Sequence, residues 1–293
     1  MSVNPSAEQF LKSFTLELKN RGCLPSKIEL TSIGQTTIAN SFDDARDFVI
    51  SEYVTTGMST DPSVAVLKSL VERVERNAYT SGFEKNLSSC ATERSDGFAA
   101  YPVKASLNSK VKARANAYGE AVERFVWSTW WDDQTVAHEQ FRLSEDNTSP
   151  ASLELIQELS KIIKIKKVIA VVPQIANSVQ KVVISFAELE NGGVISGGAS
   201  GSSDDFDVTL YRGLCELIRH GIATHHFMES KRAPKSFYEK RLHFFAFDPK
   251  GRAMLEYRLS ANGTRSVTLP KLAIDEEVSH SLSDLVYVHR CYF

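Results

Sequence analysis

The sequence predicts an α+β fold built from repeated strand–glycine turn–helix units around one central site. Three observations predict it. Two helical stretches, Glu72-Arg73-Val74-Glu75-Arg76 and Glu120-Ala121-Val122-Glu123-Arg124, both read E-x-x-E-R. Glycine-containing stretches precede both, at Gly57 and Gly97. A third stretch repeats the polar spacing: Lys68, Glu72 and Glu75, then Asn116, Glu120 and Glu123, then Arg212, Glu216 and Arg219, all at steps of four and three. The leading glutamates lie 48 and 96 residues apart, one interval twice the other, which marks an internal pseudo-repeat.

Taken in order, residues 6–21 predict a helix with Phe10, Leu11, Phe14 and Leu18 on one side and Gly22 as its stop. Residues 33–56 read as strands, centred on Thr36–Ala39 and Phe48–Thr56. Gly57 and Met58 read as a turn. Ser59-Thr60-Asp61-Pro62 supplies a capping side chain and a first-turn proline, so a helix follows to about Tyr79. Its buried stripe is Leu67, Leu70, Val71, Val74 and Ala78. Residues 81–94 are polar and read as a loop, and 95–101 as a turn with a short strand. Asn108 or Ser109 then caps the second glutamate helix, which runs to about Trp131.

Ser149-Pro150 opens a helix to about Lys164, with Leu153, Ile156, Leu159 and Ile163 inward. Val168–Val172 and Val182–Phe186 are buried strands, joined to the next strand by a hairpin at Asn191-Gly192-Gly193. Ser196 to Asp204 reads as a glycine-serine loop before the third polar helix. Residues 234–246 predict a helix anchored by Phe237, Leu242, Phe244, Phe245 and Phe247. Met254–Leu259 fits helix or strand, Ser266–Ala273 is strand-like, and Leu285–Phe293 closes the chain as a strand. No low-complexity linker divides these elements, so a single domain over 1–293 is expected, with 1–32 as a helical extension and 33–293 as the core.

Bulk properties narrow the function. With 42% hydrophobic and 24% charged residues, the composition is that of a soluble globular protein. A net charge of −2 without a basic block argues against nucleic-acid or anionic-membrane partners. No apolar run reaches the roughly 20 residues a membrane span needs. No signal peptide is visible. Cys23, Cys90, Cys215 and Cys291 are scattered without metal-ligand spacing, as free thiols in a reducing cytosol would be. His220, His225 and His226 read as helix-surface residues, and Trp127, Trp130 and Trp131 as core or interface packing.

Residues three apart on a helix share a face, so each E-x-x-E pair points one way, beside the apolar stripe. On a solvated helix face the adjacent arginine of each E-x-x-E-R would serve as their ion-pair partner, and near a core they need a cation to neutralise them. Four converging carboxylates suit hard divalent ions, and Mg²⁺ held this way usually carries nucleotide phosphates.

These stretches resemble the YcaO-domain family. The likeness rests on Gly57 through Arg76, on Ser95–Ala100 with Asn108 through Arg124, on Ser196 through Arg219, and on the closing V-Y-V-x-R strand. The resemblance implies an enzyme that uses Mg-ATP on a peptide backbone. A nucleophile adds to an amide carbonyl, the amide oxygen is phosphorylated, and loss of phosphate gives an azoline (thiazoline or oxazoline), thioamide or amidine. It implies Glu72, Glu75, Glu120 and Glu123 as Mg²⁺ ligands. Ser69, Arg76 and Arg124 would contact ATP or brace the carboxylates, Asn108 would be an ATP-site residue, and Arg212 and Glu216 match the third motif. Lys112 replaces a common ATP-site glutamate, and Arg219 a common glutamine. The expected substrate is a ribosomally made precursor peptide. The expected setting is a homo- or hetero-oligomer with a ubiquitin-activating-enzyme-like delivery protein and a flavin dehydrogenase. The Pro-rich tail of azoline-forming members and a peptide-clamping domain are not in the sequence, so a separate partner is expected to deliver the peptide. A thioamide-forming activity and a non-catalytic peptide-binding scaffold are the alternatives, with an unrelated Mg-ATP ligase or kinase as a further one.

Overall fold

Ser6 and Gln9 exchange side-chain and backbone hydrogen bonds, a capping box that opens α1 (Ala7–Asn20). The computed structural model describes residues 6–43, 54–82, 95–202, 204–231, 233–234 and 237–293. The expected strand over Phe48–Tyr53, most of the expected loop at 81–94, and Cys90 lie outside the described residues.

Three antiparallel sheets follow. The first has the order β1 (Lys27–Ile33), β2 (Thr36–Phe42), β3 (Thr55–Ser59). Helix α2 (Pro62–Gly82), capped by the Asp61 carboxylate on Ser63 N–H, lies along β3. In the second sheet, β10 (Val286–Tyr292) sits between β4 (Asp96–Pro102) and β9 (Ile274–Glu277). Helix α3 (Ser109–Asp132) packs on β4 and β10. The third sheet runs β5 (His138–Arg142), β6 (Ile165–Pro173), β7 (Gln180–Leu189), β8 (Val194–Ser202). Helices α4 (Pro150–Ile162), α5 (Phe206–Ser230), α6 (Phe237–Phe247) and α7 (Pro249–Leu259) complete the chain.

The third sheet is covered on both faces, which explains its nearly continuous apolar strands. Val168, Ala170 and Val172 join Leu155, Leu159, Leu214 and Ile218 in one core. The alternate residues Ile169 and Val171 join Val122, Val126 and Trp130 in another. A third core gathers α1, α2 and β10 around Leu18, Leu70, Val74 and Val288.

Several expected elements differ. Lys27–Ile33, mostly assigned to a helical extension, is a strand paired along its length with β2. Gly57 and Met58 lie inside β3, and Ser196–Ser202 lies inside β8 rather than in a loop. The glycines serve close approach instead of turning. A Cβ on Gly97 would sit 1.9 Å from Ala117 O, and one on Gly197 would sit 2.4 Å from Gly213 O, so α3 and α5 lie against bare backbone. Ser266–Ala273 is no strand; only isolated bridges from Arg265 and Val267 occur there. Met254–Leu259 is helical, as part of α7. The hairpin after β7 turns at Asn191-Gly192-Gly193, with Gly192 at φ +86° and the Asn191 side chain accepting from Gly193 N–H.

Candidate active site

Strands β3, β4 and β8 are each the outer strand of a sheet, and each has a helix packed over it whose polar side chains reach its open edge. An open edge leaves backbone N–H and C=O groups unpaired. Here helix side chains pair them, in the same pattern three times. Glu72 accepts from Thr56 N–H at 2.7 Å, Glu120 from Phe98 N–H at 2.8 Å, and Glu216 from Gly198 N–H at 2.7 Å. Four residues further along each helix, a second group takes the carbonyl two positions back. Arg76 donates to Val54 O, Arg124 to Asp96 O, and the Nδ1–H of His220 to Ser196 O. Four residues before the glutamate, Lys68 donates to Met58 O and Arg212 to Ser200 O. Arg76 and Arg124 each also donate to the glutamate one turn earlier on their own helix.

The second glutamates link one unit to the next. Glu75 of α2 reaches across to accept from Ala100 N–H in β4 at 2.9 Å. Glu123 of α3 sits against Gly198 of β8, where a Cβ would come 3.3 Å from its carboxylate and 2.6 Å from the Trp127 ring. Glu123 accepts no hydrogen bond from any described residue. Burial raises the Glu75, Glu120 and Glu123 pKa values above the ordinary carboxylate range. Neighbouring carboxylates add to this: Glu120 and Glu72 act on Glu75, and Glu216 and Glu120 on Glu123, which is pushed up to about 8. Five carboxylates from three helices thus share one region. They are not sealed off, since the Glu72 and Glu120 side chains keep 21% and 30% exposure.

The other expected residues divide. Ser69, expected at ATP or as a brace, is fully buried and donates to Ser41 Oγ and Thr55 O, so it fastens α2 to β2 and β3. Arg76 and Arg124 brace carboxylates as described. Asn108 stands at the exposed start of α3 and makes no side-chain capping bond. Twelve residues of helix place it about 18 Å from Glu120 along the axis. Lys112 lies about 12 Å from Glu120 by the same measure and turns to Tyr101, its Nζ 5.2 Å from the ring centre. Neither joins the carboxylate group. Arg219 is half-buried, and its Nε has no hydrogen-bond partner.

His220, expected on a helix surface, lies inside the fold. It is 5% exposed, not a surface histidine, and burial lowers its pKa. The signal was its position four residues after Glu216, where the other two helices have Arg76 and Arg124. Trp130 is fully buried, as core packing requires.

No protein-family model and no curated protein matches the sequence. Solved structures do match. YcaO from Methanopyrus kandleri bound with AMPPCP and Mg²⁺ aligns over 97% of this chain and 89% of its own, with a TM-score of 0.58 at 15% identity. The fold is YcaO-like. The E. coli microcin synthetase McbBCD complex matches over 92% of this chain and 87% of that one, with a TM-score of 0.57 at 9% identity. In this YcaO-like fold, no described helix is long and apolar enough to cross a membrane.

Proposed function

We propose that the chain is the YcaO component of a peptide-modifying synthetase. Its reaction would be Mg-ATP-dependent phosphorylation of a backbone amide oxygen, leading to a thiazoline or oxazoline in a ribosomally made precursor peptide. The carrying observation is the group of five glutamates from α2, α3 and α5. Burial and mutual repulsion raise the proton affinity of three of them. No three of the five bring ligand oxygens within 4.8 Å of one another, so this all-oxygen, anionic and partly accessible set would hold Mg²⁺ through one or two carboxylates per ion, with phosphate oxygens and water completing the shell. The M. kandleri neighbour, bound with AMPPCP and Mg²⁺, supports the same pairing of metal and nucleotide.

Mg-ATP, when bound, would supply the phosphoryl group that turns a poor leaving oxygen into a good one. The chain's residues would position and neutralise. Glu123 has its carboxylate unengaged by described residues and is the first metal ligand. Glu75 keeps one oxygen outside its bond to Ala100 N–H. Glu72, Glu120 and Glu216 each hold a strand edge with one oxygen, and the other oxygen of Glu72 and of Glu120 accepts from Arg76 and Arg124, so these would meet a metal through the lone pairs those bonds leave. Arg76 and Arg124 would keep Glu72 and Glu120 in place, and His220 holds the β8 edge beside Glu216 through Ser196 O. The work of such a site is placement and charge stabilisation, with no covalent nucleophile from the protein. The microcin synthetase neighbour is a complex, which supports a partner that delivers the peptide.

The test is ATP consumption and peptide mass in a mixture of chain, delivery partner and precursor peptide. Consumption that needs both Mg²⁺ and peptide, with loss of water from the peptide, is expected. Glu123→Gln should abolish both. Equal modification by wild type and variant would overturn the reading. Sulfur-for-oxygen exchange in place of water loss would assign a thioamide product to the same site.

A further inference from the structure

On the short sheet, His289 and Cys291 are two residues apart in β10 and so share a face. Asp275, directly opposite Cys291 in β9, reaches the same point. Its Oδ1 accepts from His289 Nε2 at 2.8 Å and lies 3.8 Å from Cys291 Sγ. One donor atom from each of the three falls within 4.8 Å of the others, and no other such group occurs among the described residues. Cys291 is fully buried and His289 is 7% exposed, whereas the Asp275 side chain is 32% exposed. The second ring nitrogen of His289, Nδ1, is buried without a hydrogen-bond partner. From α3, Arg114 clasps the Asp275 carboxylate, with Nε at 2.9 Å from Oδ1, the oxygen that also faces His289 and Cys291, and Nη2 at 2.5 Å from Oδ2.

We propose that Asp275, His289 and Cys291 bind a transition-metal dication, with Zn²⁺ the best chemical match and Arg114 a positioning residue behind the carboxylate. Tetrahedral zinc with thiolate, imidazole and carboxylate ligands spaces its donors by about 3.2–3.8 Å. The observed set reaches that spacing with side-chain shifts of about an ångström. Thiolate and imidazole select zinc over Mg²⁺, which takes oxygen ligands. Binding would release the thiol proton to solvent, while the imidazole proton would move from Nε2 to the unpartnered Nδ1. Solvent reaches the set on the Asp275 side, where the fourth position would hold water. The bond from Arg114 Nη2 to Oδ2, the oxygen away from His289 and Cys291, is of the kind that orients a ligating carboxylate. The gain would be structural, since β9 has four residues, mostly exposed, and few apolar contacts to hold it. This inference is independent of the nucleotide reading.

The experiment uses the full chain, stripped with chelator and titrated with Co²⁺. The expected result is a near-ultraviolet thiolate-to-cobalt absorption that saturates at one equivalent, disappears in Cys291→Ser and survives in Cys215→Ser and Glu120→Gln. Zn²⁺ should displace the colour and raise the melting temperature of the wild type. If Cys291→Ser does not fold, Asp275→Asn at the accessible ligand carries the test, with Co²⁺ affinity expected to fall at least about tenfold. Absence of the thiolate band in the wild type, its persistence in Cys291→Ser, or unchanged affinity in Asp275→Asn would overturn the proposal.

Discussion

Glu123 has the strongest physical reason to want a cation. Its charge is desolvated and faces Glu216 and Glu120, and no described residue donates to it. Replacing it with glutamine removes repulsion without removing a bond. Glu123→Gln is therefore expected to raise the melting temperature of the metal-free protein at pH 8 while abolishing Mg²⁺-dependent nucleotide binding. A fall in melting temperature would show that the carboxylate has a structural partner. The same charges set the pH dependence. Glu75, Glu120 and Glu123 have folded pKa values above 4.5, so between the two values the folded state holds protons that the unfolded state has lost. Stability then falls as pH rises, by up to about 1.4 kcal/mol per pH unit for each such proton. The loss levels off above the folded values, near pH 8 for Glu123. Between about pH 5 and 6.5 the burial-lowered His138, His220 and His280 values act in the opposite sense, so the decline should show in thermal melts of metal-free protein from about pH 6.5 to 8, and Glu123→Gln should flatten it. A melting temperature that rises over that window would contradict it.

At the scale of elements, side chains of a helix packed over an outer strand do the work of a missing neighbour strand. Glycine makes the contact close enough. Gly97→Ala would drive a Cβ to 1.9 Å from the Ala117 carbonyl, so α3 must move off β4. Urea unfolding is expected to show a loss of about 1–3 kcal/mol, and a neutral result would mean that the helix can shift freely. The helices were legible in the sequence because polar groups at steps of three and four stand beside apolar stripes. The strand glycines were not, since glycine before a helix signals a turn and a tight contact equally well. The strands that escaped notice, β1, β5 and β9, share a cause. Each is the outer strand on the solvent side of its sheet and is exposed along most of its length. An exposed edge carries no apolar alternation to read. His220 escaped for a different reason. A histidine and an arginine can serve the same carbonyl, but they do not look alike in a motif.

For the whole molecule, three sheets turn one edge each toward a common region, and the helices along those edges bring their carboxylates together. Convergence of α2 with α3 was readable from the two E-x-x-E-R copies. The distance of Asn108 and Lys112 from Glu120 was readable as well, since the sequence already starts α3 at Asn108 or Ser109 and so puts about two to three helical turns between them. The central claim is that this carboxylate group exists to hold a metal-bridged nucleotide. Calorimetric titration of AMPPCP into the full chain, with and without Mg²⁺, tests it most directly. Saturable binding that requires Mg²⁺ and vanishes in a folded Glu123→Gln variant is predicted. No heat of binding in the wild type, or binding indifferent to Mg²⁺ and to Glu123, would contradict it.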